Sequence, residues 1–145
     1  MKSLVISPHP DDEVLGAGGT LFKRKKSSKS NLLYWIIVTR LKRNSPKKII
    51  LKREKEIEKV SKSFGFKKVF QLNFYSTELD STSKKKLIFN FSEIFNKVKP
   101  DELFVPHFSD VHSDHKIVAE VISTCTKNFR FSFIKKILAY EVISE

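Results

Sequence analysis

Short apolar runs alternate with longer amphipathic segments along the 145-residue chain, and this alternation limits the possible folds more than any other feature. Runs rich in β-branched and aromatic residues predict buried strands, and apolar residues recurring every three or four positions predict helices. Strands are predicted at Leu4–Ser7, Leu32–Thr39, Lys68–Leu72 and Glu102–Val105, with one or two more within Phe131–Ile143. Helices are predicted from Asp11 or Asp12 to the lysines after Phe22, at Lys48–Ser63 and Ser83–Val98, and from Asp114 onward.

This order of elements is typical of an α/β protein, because strands separated by helices pair in parallel and are covered by those helices. We therefore predict a Rossmann-like three-layer fold with a mostly parallel sheet, strand order 3-2-1-4-5 and helices on both faces. No repeat or linker interrupts the pattern, so residues 1–145 are expected to form a single domain. Because the sequence stops directly after a strand-like segment, we expect this domain to be C-terminally incomplete.

Charge and cysteine content restrict the classes of function. The chain has 28 Lys and Arg against 16 Asp and Glu, a net charge of +12, which would attract anions. The lysine runs lack interleaved aromatic residues for base stacking, so we expect no nucleic-acid partner. Cys125 is the one cysteine, and its predicted place is a buried helix position in a reducing compartment. The apolar stretch Leu32–Val38 is too short to cross a bilayer, and a cytoplasmic protein is expected.

Two polar segments carry the residues suited to chemistry. Ser7–Glu13 follows the first predicted strand, and His112–His115 follows the fourth. Three of the four histidines lie in these segments, together with several carboxylates. Ligands of doubly wound sheets bind beyond the carboxyl ends of the strands, so both segments are expected at one site. Two imidazoles and a carboxylate suit a hydrolytic zinc centre with an open position for water.

Each segment also has a simpler interpretation. Pro8–Asp12 could be only a turn with an aspartate helix cap, and His112–His115 could be a cap with two surface histidines. The fourth histidine, His107, occupies no useful motif position and is expected to be incidental or to support other residues. The joint occurrence of both segments at predicted strand ends favours the metal site.

These segments also carry a resemblance to a known family. Pro8–Glu13, followed by Leu15–Thr20, resembles the N-terminal signature of the LmbE-like (PIG-L) zinc-dependent de-N-acetylases. Asp110–His115 resembles that family's second signature, D-x-H-x-D-H. The loop Thr39–Asn44 departs from the family pattern because it lacks a glycine, so its contacts with substrate cannot be carried over.

The resemblance implies a role for each matching residue. It implies that His9, Asp12 and His115 bind one zinc ion and that Asp11 is the general base. His112, oriented by Asp114, would stabilise the oxyanion or protonate the leaving amine. The remaining implied roles are support of the site by Asp110 and contact with substrate by Arg53.

We therefore expect a zinc-dependent hydrolase that removes acetyl from an N-acetylated sugar of the N-acetylglucosamine type, or from its conjugate, by metal-activated water. Its partner would be that small molecule, with a homo-oligomer possible. Two alternatives stay open. The extra carboxylates Asp110 and Asp114 could serve a two-metal phosphoesterase. The positive charge alone could serve a binding module for nucleic acid or anionic membrane.

Overall fold

Parallel strand pairing organises the molecule, whose computed structural model describes residues 1–127 and 129–142. Five strands form one sheet in the order β3-β2-β1-β4-β5, and every neighbouring pair is parallel. The predicted α/β class and strand order are confirmed. The strands are β1 Lys2–Ser7, β2 Leu32–Arg40, β3 Lys68–Tyr75, β4 Glu102–Pro106 and β5 Lys136–Tyr140. The helices are α1 Asp12–Ser27, α2 Lys47–Phe64, α3 Lys84–Val98 and α4 Ser113–Cys125.

Two apolar cores lie on opposite faces of the sheet, which confirms the three layers. Alternate residues of β1 separate them, because successive side chains of a strand point to opposite faces. Leu4 lies in the core that α3 and α4 cover, and Val5 lies in the core that α1 and α2 cover. The chain reverses direction across the sheet after α3, so β1 and β4 meet at the switch point where such folds bind ligands.

The helix ends agree with the sequence signals, with one exception at α1. Gly65 adopts the left-handed conformation, with φ 65°, that ends α2. Arg24, Lys25 and Lys26 lie in the last turn of α1, where positive charge is favourable. Asp11 occupies the cap position of α1, but its side chain makes no capping hydrogen bond. The carboxylate therefore stays available for another role.

The predicted strand content of Phe131–Ile143 is wrong in its first part. Within residues 131–142, the strand is Lys136–Tyr140, while Phe131 starts a turn in which the Ile134 N–H donates to its carbonyl at 3.0 Å. Phe131 is buried edge-on against Phe95, with ring centroids 5.4 Å apart, so its apolar character serves packing against α3. The predicted end of this segment, Ile143, lies outside the described residues. No helix in the described part of the chain combines the length and apolarity needed to span a membrane.

Two glycines of α1 allow a matched test of this packing. A Cβ atom at Gly16 would overlap the Tyr140 ring, whereas one at Gly19 would meet nothing within 4 Å. Gly16→Ala should therefore lower the free energy of unfolding. Overpacking against the Tyr140 ring costs about 1–3 kcal/mol, which exceeds the stabilisation from the higher helix propensity of alanine. Gly19→Ala should raise it by up to about 1 kcal/mol. Urea unfolding of both variants measures this, and equal effects of the two substitutions would contradict the packing described.

Candidate metal centre

The two polar segments meet at the carboxyl edge of the sheet. β1 and β4 are paired in parallel, so the loops that follow them are adjacent. His9 and Asp12 come from the first loop and the start of α1, and His115 comes from the first turn of α4. Asp12 and His115 are buried, and His9 is half-buried. The structure thus brings His115 next to two side chains that precede it by more than a hundred residues in sequence.

Three atoms of these side chains form a nearly equilateral triangle. His9 Nδ1 and His115 Nε2 are 3.2 Å apart. Asp12 Oδ2 lies 3.6 Å from the first atom and 3.4 Å from the second. Ligand atoms about 2.0–2.1 Å from a tetrahedral zinc ion lie roughly 3.3 Å from one another. The donor types and their spacing therefore fit one face of a zinc tetrahedron, which leaves the fourth position for water or substrate.

The second nitrogen of each histidine faces a carboxylate. His115 Nδ1 lies 2.7 Å from Asp110 Oδ2, and His9 Nε2 lies 3.0 Å from Asp114 Oδ2. Carboxylates in this position fix the tautomer and orientation of metal-binding histidines and increase their basicity. The expected support by Asp110 is present in the geometry.

Asp114 contacts His112, as the expected orientation of His112 requires, but it does so through its backbone and not through its carboxylate. The carboxylate faces His9 and accepts the backbone N–H groups of Thr77 and Leu79, at 2.7 and 3.3 Å. The backbone N–H of Asp114 instead donates to His112 Nδ1 at 3.1 Å. This is a helix cap, and it requires an unprotonated Nδ1, so the neutral His112 ring carries its proton on Nε2.

His112 lies beside the triangle. Its ring centroid is 4.6 Å from that of His9 and 5.0 Å from that of His115. One nitrogen from each of the three histidines could also form a metal-binding group, with all atoms within 4.8 Å of one another. We favour Asp12 over His112 as the third ligand, because Asp12 Oδ2 lies within 3.6 Å of both histidine nitrogens and His112 Nδ1 is engaged in the cap. His107 takes no part, since its ring contacts Ser109.

Asp11 and Arg53 lie at the mouth of the site. The Asp11 side chain is 56% exposed, and the backbone there has φ 155°, which non-glycine residues rarely adopt. Partial burial and the neighbouring Asp12 charge raise the pKa of Asp11 despite the opposing Arg53 charge. Arg53 Nη1 donates to the Pro10 carbonyl at 2.6 Å and lies 3.8 Å from Asp11 Oδ2. Arg53 thus holds the loop that carries Asp11.

Glu13 is a supporting residue to which the sequence analysis assigned no role. Its carboxylate is buried and accepts the Ser7 hydroxyl at 3.1 Å and the Asp11 N–H at 3.2 Å. Ser7 Oγ in turn accepts the Trp35 indole N–H at 2.9 Å. Burial raises the pKa of Glu13 to about 7. The position of Glu13 within the first motif was the sequence feature that could have indicated a role. The structure shows what that role is: the Glu13 carboxylate holds the backbone of Asp11.

The pKa of His115 predicts how metal binding depends on pH. Burial opposes its protonation, but the Asp12 and Asp110 carboxylates outweigh burial and raise the pKa of His115 to about 9. A metal must displace this proton, so zinc binding at pH 7.5 should release about one proton per ion. The apparent affinity should rise about tenfold per pH unit from about pH 6.5 to 9.

Calorimetric titration with zinc in buffers of different ionisation enthalpy measures the released protons. Asp110→Asn is the matched variant, because it removes one carboxylate that stabilises protonated His115 while leaving the three proposed ligands intact. It should reduce the proton release. Zinc binding without proton release in the unaltered protein would contradict the assignment of His115 as a ligand.

Comparison with known proteins identifies the family. The family described as "PIG-L: GlcNAc-PI de-N-acetylase" matches residues 4–126, which include every residue of the site. The chain belongs to the PIG-L family. The resemblance read from the two signatures is thereby confirmed.

Individual relatives agree with this PIG-L assignment. The chain is 29% identical over 125 residues to diacetylchitobiose deacetylase of Thermococcus kodakarensis, covering 79% of this chain and 45% of the relative. It superimposes on N,N'-diacetylchitobiose deacetylase from Pyrococcus horikoshii with a TM-score of 0.71 and 28% identity, covering 86% and 48% of the two chains. A deacetylase of teicoplanin biosynthesis shares the fold, with a TM-score of 0.80, 15% identity and coverage of 99% and 68%. The chain spans about half the length of the two diacetylchitobiose deacetylases.

Proposed function

We propose that this chain carries the catalytic centre of a zinc-dependent de-N-acetylase acting on N-acetylglucosamine-type sugars or their conjugates. The observation that carries the proposal is the triangle of His9 Nδ1, Asp12 Oδ2 and His115 Nε2, with sides of 3.2 to 3.6 Å. The substrate class is supported by the family's name and by the relatives that act on diacetylchitobiose. Zinc bound there would supply a Lewis acid that polarises the amide carbonyl and makes water acidic.

Asp11 is suited to the proton transfers of amide hydrolysis. The reaction adds water to the carbonyl carbon and breaks the C–N bond, releasing acetate and a free amine. Asp11 would take a proton from the attacking water and return it to the amine nitrogen. Its exposure at the mouth of the site and its raised pKa support this role, because the carboxylate is accessible and more basic than an isolated aspartate.

His112 is better suited to stabilising negative charge than to donating a full proton to the amine. Its Nδ1 accepts the Asp114 N–H, so the neutral ring presents an Nε2–H donor. That donor can bind the oxygen on which charge develops as water adds. Protonating Nδ1 would break the helix cap, which opposes a cycle through the imidazolium. Of the two roles implied by the resemblance, the structure favours the oxyanion role.

The arrangement disfavours the two-metal phosphoesterase. That alternative depended on Asp110 and Asp114 as spare ligands. Both carboxylates face histidine nitrogens, at 2.7 and 3.0 Å, so neither is available for a second ion without releasing a histidine. One metal per chain is the expected stoichiometry.

Asp11→Asn tests the proposed base. It should lower the kcat for acetate release from N,N'-diacetylchitobiose by about 10²–10⁴-fold, because a positioned general base contributes that much. The zinc content should not change, since Asp11 is not one of the proposed ligands. Acetate release and metal content are measured on the same preparations.

Asp80→Asn is the control for that substitution. Asp80 is exposed and its carboxylate accepts the N–H of the adjacent Ser81, so the same chemical change is made at a side chain that is not bonded to a proposed ligand. Asp80→Asn should retain full activity. Full activity in Asp11→Asn would show that another group is the base.

His112→Ala should lower kcat by about 10²–10³-fold, as loss of one oxyanion donor does. If His112 acts as the neutral donor, the pH–rate profile of the residual activity in His112→Ala should keep every limb seen in the unaltered protein. Disappearance of the alkaline limb in His112→Ala would instead assign the protonated histidine as the acid.

A further inference from the structure

A basic cavity adjoins the candidate metal centre on the side of β2 and β3. It has a volume of about 180 Å³ and is lined by Arg40, Lys42, Arg43 and Arg53, with Glu54 the one acidic residue of the described lining. A smaller hollow over His9 and Asp11 shares Arg40, Arg53 and their neighbours Pro10 and Thr39 with this cavity. The two hollows therefore adjoin, so the region of positive charge begins beside His9 and Asp11.

Tyr75 holds two of these cations in place. Arg40 ends β2 and Tyr75 ends β3, and the two residues are paired in register. Arg40 Nη2 donates to the Tyr75 hydroxyl at 2.6 Å, and its guanidinium lies 4.4 Å from the ring centroid. The Arg43 guanidinium, from the loop after β2, lies 4.2 Å from the same centroid. The aromatic ring thus fixes two charges that would otherwise repel each other.

The charges of Arg40 and Arg43 are not neutralised within the described residues. Neither guanidinium has a carboxylate within 4.0 Å in residues 1–127 and 129–142, whereas Arg53 approaches both Asp11 and Glu56. Glu54 faces Gln71, whose side-chain amide donates to it at 3.2 Å. Arginine stays charged at all physiological pH values, so this pair presents an uncompensated positive charge to the cavity.

The start of α2 adds to the positive potential. Ile50 of its first turn lines the cavity. That turn contains no acidic residue, and the cap residue Pro46 makes no side-chain hydrogen bond. The partial positive charge of a helix N-terminus is therefore uncompensated beside the two arginines.

We propose that Arg40, Arg43 and Tyr75 form a subsite for a phosphoryl group carried by the N-acetylated substrate. The inference rests on the proposed function for the position of the acetyl group, and it adds the class of substrate: a sugar phosphate or a sugar linked through a phosphodiester. A phosphoryl group has enough oxygens to accept hydrogen bonds from two guanidiniums at once.

The kinetic test compares three substrates on zinc-loaded protein: N-acetylglucosamine, its 1-phosphate, and the nucleotide sugar UDP-N-acetylglucosamine. We expect at least one phosphorylated substrate to exceed the neutral sugar at least tenfold in kcat/KM for acetate release. A preference for the 1-phosphate would indicate a sugar phosphate as the substrate. A preference for UDP-N-acetylglucosamine would indicate a sugar linked to a further group through its phosphate. Equal kcat/KM for all three substrates would overturn the proposal.

The double variant Arg40→Gln/Arg43→Gln should reduce the ratio of phosphorylated to neutral kcat/KM at least tenfold. Arg130→Gln is the matched control, because Arg130 is exposed and follows α4 at the opposite edge of the sheet, and the ratio should not change. Tyr75→Phe keeps the aromatic ring that both guanidiniums contact and should reduce the ratio less than Tyr75→Leu. A ratio unchanged in the double variant would contradict the subsite.

A binding measurement separates this proposal from the proposed function. If no substrate releases acetate, calorimetric titration with glucosamine 1-phosphate still tests the subsite. Binding that weakens at least tenfold in the double variant, but not in Arg130→Gln, would support the subsite while the deacetylase proposal fails. No binding, or binding indifferent to the double variant, would overturn the subsite. Thermal melts of each variant confirm that the fold is retained.

Discussion

The parallel pairing of β1 with β4 is the constraint on which the site depends. Leu4 pairs with Leu103 in register, and the two strands end beside each other at the carboxyl edge. This pairing brings His9 and Asp12 next to His115, which no local structure could do. It also places the centre where the chain reverses direction across the sheet, so helices α1 and α4 start from either side of it.

Three carboxylates surround two imidazoles at this site, so negative charge is in excess there. The carboxylates belong to Asp12, Asp110 and Asp114. The ring nitrogen of each histidine that lies outside the triangle faces one of them, Asp110 for His115 and Asp114 for His9. Such an arrangement raises the pKa of His115 in the metal-free protein and makes both rings stronger ligands. A divalent cation would relieve the excess negative charge. The proposed general base, Asp11, lies outside the triangle, where its exposure and the nearby Arg53 moderate the effect of these negative charges.

The sequence predicted the strand order, the layers and the convergence of both motifs because those depend on hydrophobic period and strand ends. Local chemistry predicted the ends of α2 and α3. It failed at Phe131, where an apolar run packs against Phe95 and does not extend a strand, because composition alone cannot separate these outcomes. The sequence also could not identify the partners of the Asp114 and Glu13 carboxylates, because side-chain directions in the folded loops set these contacts. The catalytic roles and the extent of the domain stay predictions.

The measurement that tests the central claim most directly is the metal content of protein purified without added metal, determined by elemental mass spectrometry. The account predicts about one zinc per chain in the unaltered protein and in His107→Ala, whose ring lies outside the triangle. His9→Ala and His115→Ala should lose the zinc while retaining the fold by circular dichroism. Zinc retained in both ligand variants, or its absence from the unaltered protein after zinc is supplied near neutral pH, would contradict the assignment of the metal centre.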